Sequence, residues 1–427
     1  MSELSEKSMW VKKTEGPLLV NEVDLEGNRR GWLVIDSLGN GQASGGVRLG
    51  NGVTLGEVQA LAAEMTLKFS FLNLPLGGAK AGIYCPSSVS EEERARLFFS
   101  FGEGLGPILR KKTFLPGTDM GTYPEDIGHL FKGAGLVKNN PGLLDSGFYT
   151  AVSVFSALKA TSSILGVSLS GSRIGIQGLG KVGLKLFSLA YQHGMKIVSV
   201  STQAGGLYSR RGLEAEQILD LAGKYGDDLV SHYQGADYID LEGLFEQDME
   251  ILCPCAGMYP VHRDNIDKIK AKIIVPGCNV AAASEVEENL FDKGIIYLPG
   301  FVCNSGGVLC YLLSTYGFSE EAISNFLSQG IGRKVSALLI QAKKNNESPA
   351  ATAMSIVKKN QKRFTQESEA RSKGRLNLGM VRFRKSGTTE MIRTLLWPIV
   401  QNALSGSPSI RKKLARRILF ERLFGCH

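Results

Sequence analysis

Histidine is scarce, with five in 427 residues, and the seven cysteines contain no C-x-x-C pair. Cys253-Pro254-Cys255 is the one close pair; Cys85, Cys278, Cys303, Cys310 and Cys426 are scattered. That spacing offers no zinc-ligand set, and an odd count argues against a disulfide framework, so no metal site is expected. The cysteines read as small apolar residues in a reducing compartment. No apolar run reaches about 18 residues, so no membrane-spanning helix is expected. The first twenty residues hold Glu3, Glu6, Lys7, Lys12 and Lys13 and no long apolar core, unlike a secretory signal. The expected location is the cytoplasm.

A uniform basic surface is also missing. The net charge of +8 is concentrated at one end: from Lys358 onward there are 17 Lys and Arg against 4 Asp and Glu, which leaves the preceding 357 residues net negative. The basic character belongs to a tail. Ile410 to Leu423 alternates Leu414, Ile418, Leu419 and Leu423 with arginines and lysines, the pattern of a short amphipathic basic helix that could meet an acidic surface. With 43% apolar and 21% charged residues, the body has the composition of an ordinary globular enzyme, long enough for two domains.

The most informative stretch is Met65 to Gly82, MTLKFSFLNLPLGGAKAG. Lys68 sits in an apolar helical pattern running from Thr54 to Phe71, with Thr54 and Glu57 placed as a capping box; Ser90 and Glu93 form a second. Lys80 follows Pro75 and Gly77-Gly78 and is expected on a tight loop. Most lysines are solvated, but these two are embedded in apolar and glycine-rich surroundings. Burial and mutual repulsion both lower lysine pKa, which makes a lysine usable as an acid or base near neutral pH. Asp119, bracketed by Pro116, Gly117 and Gly121, is expected on a constrained loop, where an aspartate often bonds its own backbone. Gly39 to Gly46 reads as a glycine-rich loop between predicted strands, with Gly27-Asn28 as a hairpin turn.

Farther along, Ser172 to Gln177 reads as a buried strand running into Gly178-Leu179-Gly180-Lys181-Val182-Gly183 and an apolar helix. This is G-x-G-x-x-G in the strand-to-helix context that dinucleotide binding requires. The next strand ends Ser201-Thr202-Gln203, without the acidic residue that usually holds the adenosine ribose. Arg210 and Arg211 follow and would suit a 2′-phosphate, so NAD and NADP both stay open. Short apolar runs ending Cys253-Pro254, Val275-Pro276 and Leu298-Pro299 continue a parallel sheet, and Gln366 to Lys385 reads as a polar basic loop.

Gly45-Gly46-Val47-Arg48, Met65-Thr66-Leu67-Lys68 and Leu74-Pro75-Leu76-Gly77-Gly78-Ala79-Lys80-Ala81-Gly82 together resemble the glutamate/leucine/phenylalanine/valine dehydrogenase family, over about residues 15–355. The resemblance implies an α/β protein of two domains. A substrate domain over residues 1–145 precedes a Rossmann-type NAD(P)-binding domain over 146–345, and 346–427 form C-terminal helices returning to the first domain and the basic tail. It implies oxidative deamination of an L-amino acid to a 2-oxo acid and ammonia in a homo-oligomer whose interdomain cleft closes during turnover. By the same resemblance Lys68 pairs with the substrate α-carboxylate near Gly45 and Gly46. Lys80 activates water, and Asp119 carries protons to and from the amine. Asn304 and Val308 reach the substrate, while Ala256, Asn279 and Asn304 join Gly178 to Gly183 on the nucleotide side.

Several positions depart from the family pattern. The lysine and serine that glutamate-specific members use for the side-chain carboxylate correspond to Ser44 and Tyr311, which favours an uncharged or unusual side chain. Yet Lys270 to Ile273 and Leu74 to Leu76 are worded like bacterial glutamate enzymes. Phe148, Lys181, Pro276 and Gly300 stand where the family has other residues. A leucine/valine-type dehydrogenase and a catalytically weakened ligand-binding or regulatory homologue both remain open.

Overall fold

The computed structural model describes residues 10–13, 15–86, 88–137, 144–315 and 317–372. The chain divides into two compact units, Met1–Leu143 with Ile356 onward, and Leu144–Ser355.

In the first unit, β1 (Trp10–Lys12), β2 (Leu19–Leu25), β3 (Arg29–Ile35), β4 (Ser37–Gly39) and β5 (Ala43–Gly50) precede helix α1 (Leu55–Phe71) and β6 (Gly77–Tyr84). Helices α2 (Glu91–Gly104) and α3 (Gly106–Arg110), strand β7 (Phe114–Thr118) and helix α4 (Pro124–Gly133) follow. Five strands form one sheet in the order β2-β3-β6-β5-β7. β2 and β3 are an antiparallel hairpin turning at Gly27 and Asn28, both at positive φ, while β6, β5 and β7 are parallel. One face packs Phe98, Phe101, Leu105, Ile127 and Leu130 against Leu33, Val47, Ala81 and Ile83. Each fully buried phenylalanine there stabilises the fold by about 1.5–3 kcal/mol. The other face lies under α1, where Val34, Val53, Val58 and Ala62 cluster.

Two expected loops are strands. Gly39 to Gly46 enters β5, and Lys80 lies in the middle of β6 rather than on a tight loop. The glycines serve close packing: a Cβ on Gly78 would stand 2.2 Å from the backbone nitrogen of Thr66 on α1, and one on Gly45 would stand 1.7 Å from the carbonyl of Ala79. Thr54 does cap α1 through the N–H of Glu57, but the Glu57 carboxylate accepts from Arg48.

The second unit opens with α5 (Ser146–Leu165), then β8 (Arg173–Gln177), α6 (Gly183–Gln192), β9 (Lys196–Thr202), β10 (Gly205–Tyr208), α7 (Ala215–Tyr225), α8 (Leu229–His232) and β11 (Asp237–Ile239). It continues through β12 (Ile251–Pro254), β13 (Ile273–Ile274), α9 (Ser284–Asp292), β14 (Ile296–Tyr297), α10 (Gly300–Cys303), α11 (Gly306–Thr315) and α12 (Glu320–Asn345). The seven-stranded sheet has the order β11-β10-β9-β8-β12-β13-β14. It is parallel from β9 to β14, with β10 and β11 returning antiparallel at one edge. The chain moves outward from β8 in one direction and resumes at β12 in the other, so the carboxyl end of β8 is a topological switch point.

α5 is 20 residues long with a mean hydropathy of 1.2, enough by length and composition alone to pass for a membrane span, but 61% of that window is buried within the protein, as in a core helix. Serine and threonine interrupt its apolar positions, which hid it from a search for unbroken runs. The last helix, α13 (Pro349–Ser372), carries the chain back to the first unit. Asn360 Nδ2 donates to the Ser70 carbonyl at 2.9 Å, and the Phe364 ring packs 5.2 Å from that of Trp10. It extends through Gln366 to Ser372, which the polar composition had suggested was loop. The Ile410–Leu423 segment lies outside the described residues.

Candidate active site

Three parallel neighbours deliver the charged residues of the first unit. β5 carries Arg48, β6 carries Lys80, and Asp119 follows the end of β7. Because paired residues of adjacent strands share a face, Gly46, Arg48, Gly78, Lys80 and Gly82 all face α1. Asp119 fits because Gly46 has no side chain: a Cβ there would lie 2.7 Å from that of Asp119.

Lys80 Nζ is 2.7 Å from Asp119 Oδ2, and Arg48 Nε donates to the same oxygen at 2.9 Å. Arg48 Nη1 also pairs with Glu57 of α1. Lys80 is only 4% exposed in its side chain and Asp119 18%. Burial pushes the Lys80 ammonium below its ordinary pKa, with Asp119 opposing and Arg48 reinforcing that drop. Burial acts on Asp119 in the other direction, but Lys80 and Arg48 outweigh it and hold the carboxyl well below the usual range. Asp119 is further fixed by its backbone N–H, which donates to Thr122 Oγ1 at 2.8 Å; that hydroxyl donates to the Val47 carbonyl at 2.8 Å.

Lys68 is buried on α1, the helix that covers the face of β6 bearing Lys80. Its helix is locked by a buried polar cluster, in which Thr66 Oγ1 donates to Asp36 at 2.5 Å and Ser37 Oγ lies 2.7 Å from Thr66. The sequence reading missed Arg48, Glu57 and Thr122 as members of this site. Arg48 stood inside the Gly45-Gly46-Val47-Arg48 stretch, but nothing local shows that its partners are 9 and 71 positions away.

In the second unit the residues expected on the nucleotide side gather at the carboxyl ends of β8, β12 and β13. Gly178 adopts φ +88°, and a Cβ there would lie 2.3 Å from that of Ala256. The N–H groups of Gly178 and Leu179 donate to the Ser201 carbonyl at 3.1 and 2.9 Å, tying the turn to β9. A Cβ on Gly183 would stand 1.9 Å from the Gly178 carbonyl, whereas one on Gly180 would meet nothing among the described residues within 4 Å. The turn is therefore packed tight on two sides and open at Gly180, just before the N-terminus of α6. A dinucleotide pyrophosphate needs such a cradle. Lys181 is exposed and Val182 half-buried on the same turn. Asn304 is buried beside Asn279: its Nδ2 donates to the Cys278 carbonyl at 2.7 Å, and its Oδ1 has no hydrogen-bond partner among the described residues. An orphaned buried acceptor at this place fits a ligand donor. Val308 is half-buried in the first turn of α11, and Val280, after Asn279, adopts φ +44°, an unusual conformation for a β-branched residue.

Arg210 and Arg211 are not near this site. β10 runs back antiparallel to β9, and the Ser209 and Leu213 N–H groups donate to the Val198 and Ile197 carbonyls, at the opposite end of the strand from Thr202. Five residues of strand put them roughly 17 Å away. The Thr202 hydroxyl donates to the Asp227 carbonyl at 2.6 Å and accepts from the Ala204 N–H at 3.2 Å.

A switch-point glycine turn in one unit, with an ion pair between buried Lys80 and half-buried Asp119 in the other, fits one class: a two-unit dinucleotide-dependent dehydrogenase. The chain belongs to the Glutamate/Leucine/Phenylalanine/Valine dehydrogenase family, whose model matches residues 142–368, while the model of the Glu/Leu/Phe/Val dehydrogenase dimerisation domain matches residues 22–134. Its members are amino-acid dehydrogenases, oxidoreductases acting on CH–NH2 donors, and so is this protein. It is 31% identical over 295 residues to the glutamate dehydrogenase of Thermotoga maritima, covering 65% of this chain and 70% of that one. Among solved structures it is similar to the hetero-hexameric glutamate dehydrogenase of Thermus thermophilus in its Leu-bound form, with a TM-score of 0.72 and 26% identity over 82% of this chain and 89% of that one. It shares the fold of L-tryptophan dehydrogenase from Nostoc punctiforme, with a TM-score of 0.57 and 21% identity over 82% and 97% of the two chains.

Proposed function

We propose that the protein catalyses the reversible oxidative deamination of an L-amino acid with an uncharged side chain, with Lys80 and Asp119 as the proton-handling pair. The 2.7 Å contact between buried Lys80 and half-buried Asp119 carries the proposal. An L-amino acid, water and the oxidised nucleotide give the 2-oxo acid, ammonium, the reduced nucleotide and a proton. When bound, the nicotinamide would supply the two-electron acceptor, and Gly178 to Gly183, Ala256, Asn279 and Asn304 would hold the nucleotide.

The remaining work falls to side chains of the first unit. Lys68 pairs with the α-carboxylate, for which Gly45 and Gly46 leave backbone room. Lys80, neutral, takes a proton from water as its oxygen attacks the imine carbon of the oxidised substrate. As the ammonium, Lys80 then stabilises charge on that oxygen. Asp119 carries protons to and from the nitrogen until ammonia leaves. The family resemblance assigns Asn304 and Val308 to substrate binding as well.

Ser44 supports the uncharged side chain. It stands where glutamate-specific members place a lysine, and its hydroxyl is spent on the Leu115 carbonyl at 3.0 Å. Tyr311, at the other such position, is a half-buried phenol, a group that carries no positive charge and that burial keeps in its neutral form. NAD and NADP both fit. Thr202 carries no charge toward a ribose, and the displaced Arg210 and Arg211 remove the specific argument for NADP. Likeness to a hetero-hexameric relative and the match to a dimerisation domain support an oligomer of this chain.

The test is a panel of twenty amino acids against both nucleotides, read at the nicotinamide absorbance band, with analytical ultracentrifugation for the assembly. Turnover of an apolar amino acid, lost in Lys80→Ala and reduced about 10²–10⁴-fold in Asp119→Asn, is expected. Binding without turnover on any member of the panel would leave a ligand-binding homologue as the function.

A further inference from the structure

Asp119 is shared. Lys80 Nζ and Arg48 Nε approach the same oxygen, Oδ2, at 2.7 and 2.9 Å, and Arg48 is itself held through Nη1 by Glu57. The row Glu57–Arg48–Asp119–Lys80 thus alternates in sign across four elements: helix α1, strand β5, the turn after β7, and strand β6. Arg48 and Lys80 are both buried, while Glu57 and Asp119 are each 18% exposed in their side chains. In so dry a place each neighbouring charge counts for more than it does in water.

We propose that Arg48 is a positioning residue that holds Asp119 through the oxygen it shares with Lys80, and so decides how firmly Lys80 keeps its proton. The proposal rests on the reading of Lys80 as the proton acceptor. If Asp119 faced Lys80 alone, the pair would be a closed ion pair and Lys80 would stay charged. Arg48 takes a share of the carboxylate's charge and adds repulsion of its own, so Lys80 releases its proton more readily. Glu57 moderates this by compensating Arg48. The direction of each influence on Lys80 agrees: Asp119 and Glu57 favour its charged form, Arg48 and burial disfavour it.

The other charged groups on elements packed against β6 are Glu64 and Lys68 on α1 and Arg29 and Arg30 on β3. Arg29 is paired with Glu93, and Arg30 with Glu22. Asp36, after β3, is paired with Lys12. Arg48 shares its counter-ion Asp119 with Lys80 directly.

The test compares Glu57→Gln, Arg48→Lys and the double variant Arg48→Met/Glu57→Gln, in which no buried carboxylate loses its only partner. The pH dependence of Lys80 acylation by acetic anhydride in the folded protein is read by mass spectrometry against the exposed Lys111, beside the pH profile of kcat/KM. Glu57→Gln leaves Arg48 less compensated, so Lys80 should become reactive at lower pH and the acidic limb of the profile should move the same way. The double variant should move both to higher pH, and Arg48→Lys, which keeps the charge, should stay close to the wild type. If the Lys80 profile is the same in Glu57→Gln and the double variant, Arg48 is only structural and the proposal is overturned. If Lys80 reactivity moves in the two directions but no turnover is found with any substrate, the assignment of Arg48 stands and the catalytic reading of Lys80 fails.

Discussion

Lys80 and Asp119 lie 39 positions apart in sequence, on one strand and at the end of another, and meet in an ion pair of 2.7 Å. The pair, with Lys80 buried, ties the chemistry of the site to the stability of the unit that carries it. Its loss has consequences that can be separated from loss of activity.

The first concerns acid. The Asp119 carboxyl is held well below its ordinary value because Lys80 and Arg48 outweigh the opposing effect of burial. Between that depressed native value and the ordinary unfolded value near ~4, the unfolded chain binds the extra proton. The contribution of Asp119 is therefore complete above about pH 5 and is lost as pH falls from there toward the native value. Asp119→Asn should lower stability at pH 7 by about 3–5 kcal/mol, because it leaves the buried Lys80 ammonium unmatched while Arg48 keeps Glu57. It should also flatten the fall in melting temperature below pH 5. An unchanged acid slope would mean the pair is not maintained in solution.

Thr122 offers a test away from the charges. Its hydroxyl joins the Asp119 N–H to the Val47 carbonyl, both at 2.8 Å. Thr122→Val keeps the shape and removes both bonds, at an expected cost of about 1–3 kcal/mol in denaturant unfolding. Asp119 would then be held less firmly, and a fall in kcat of up to about 100-fold is expected with little change in nucleotide affinity. Wild-type kcat in this variant would show that Asp119 does not depend on the bond.

Gly180 separates binding from folding. A Cβ there meets nothing within 4 Å, so Gly180→Ala should melt within about 1 °C of the wild type, in line with an unstrained surface change. If the open side of the turn receives the pyrophosphate, affinity for NAD and NADP should fall at least tenfold, about 1.4 kcal/mol. Titration calorimetry with both nucleotides decides this, and unchanged affinity would move the nucleotide elsewhere.

Nucleotide preference gives a prediction of no effect. Arg210 and Arg211 lie at the wrong end of β9 to touch an adenosine 2′-phosphate. Arg210→Ala/Arg211→Ala should leave the ratio of NAD to NADP affinity within about twofold, since charges beyond a Debye length are largely screened at physiological salt. A selective loss of NADP binding would contradict the register of β9 and β10.

Much of the site was legible because its signals are short-range. The glycine turn at Gly178 to Gly183 sits between a buried strand and an apolar helix, and all three cues fall within about twenty consecutive residues. Lys68 and Lys80 stood out because charge is rare in apolar or glycine-rich company. The placement of Lys80 in a strand was not legible, because Gly77-Gly78 is equally the mark of a turn and of a close helix contact. Only the approach of Thr66 to Gly78 distinguishes them. Arg210 was misplaced for a similar reason: residues shortly after a strand end look adjacent to it until a hairpin carries them back.

The residues alone determined which chemical groups are present, which of them resist water, and the family to which the chain belongs, because composition, periodicity and motif spacing are properties of neighbours along the chain. Which groups share an oxygen was decided only by folding. Arg48, Glu57, Lys80 and Asp119 reach one another through the pairing of β5 with β6 and β7 and the packing of α1 on that sheet. Long-range register of that kind depends on the whole core and is written in no local stretch of sequence.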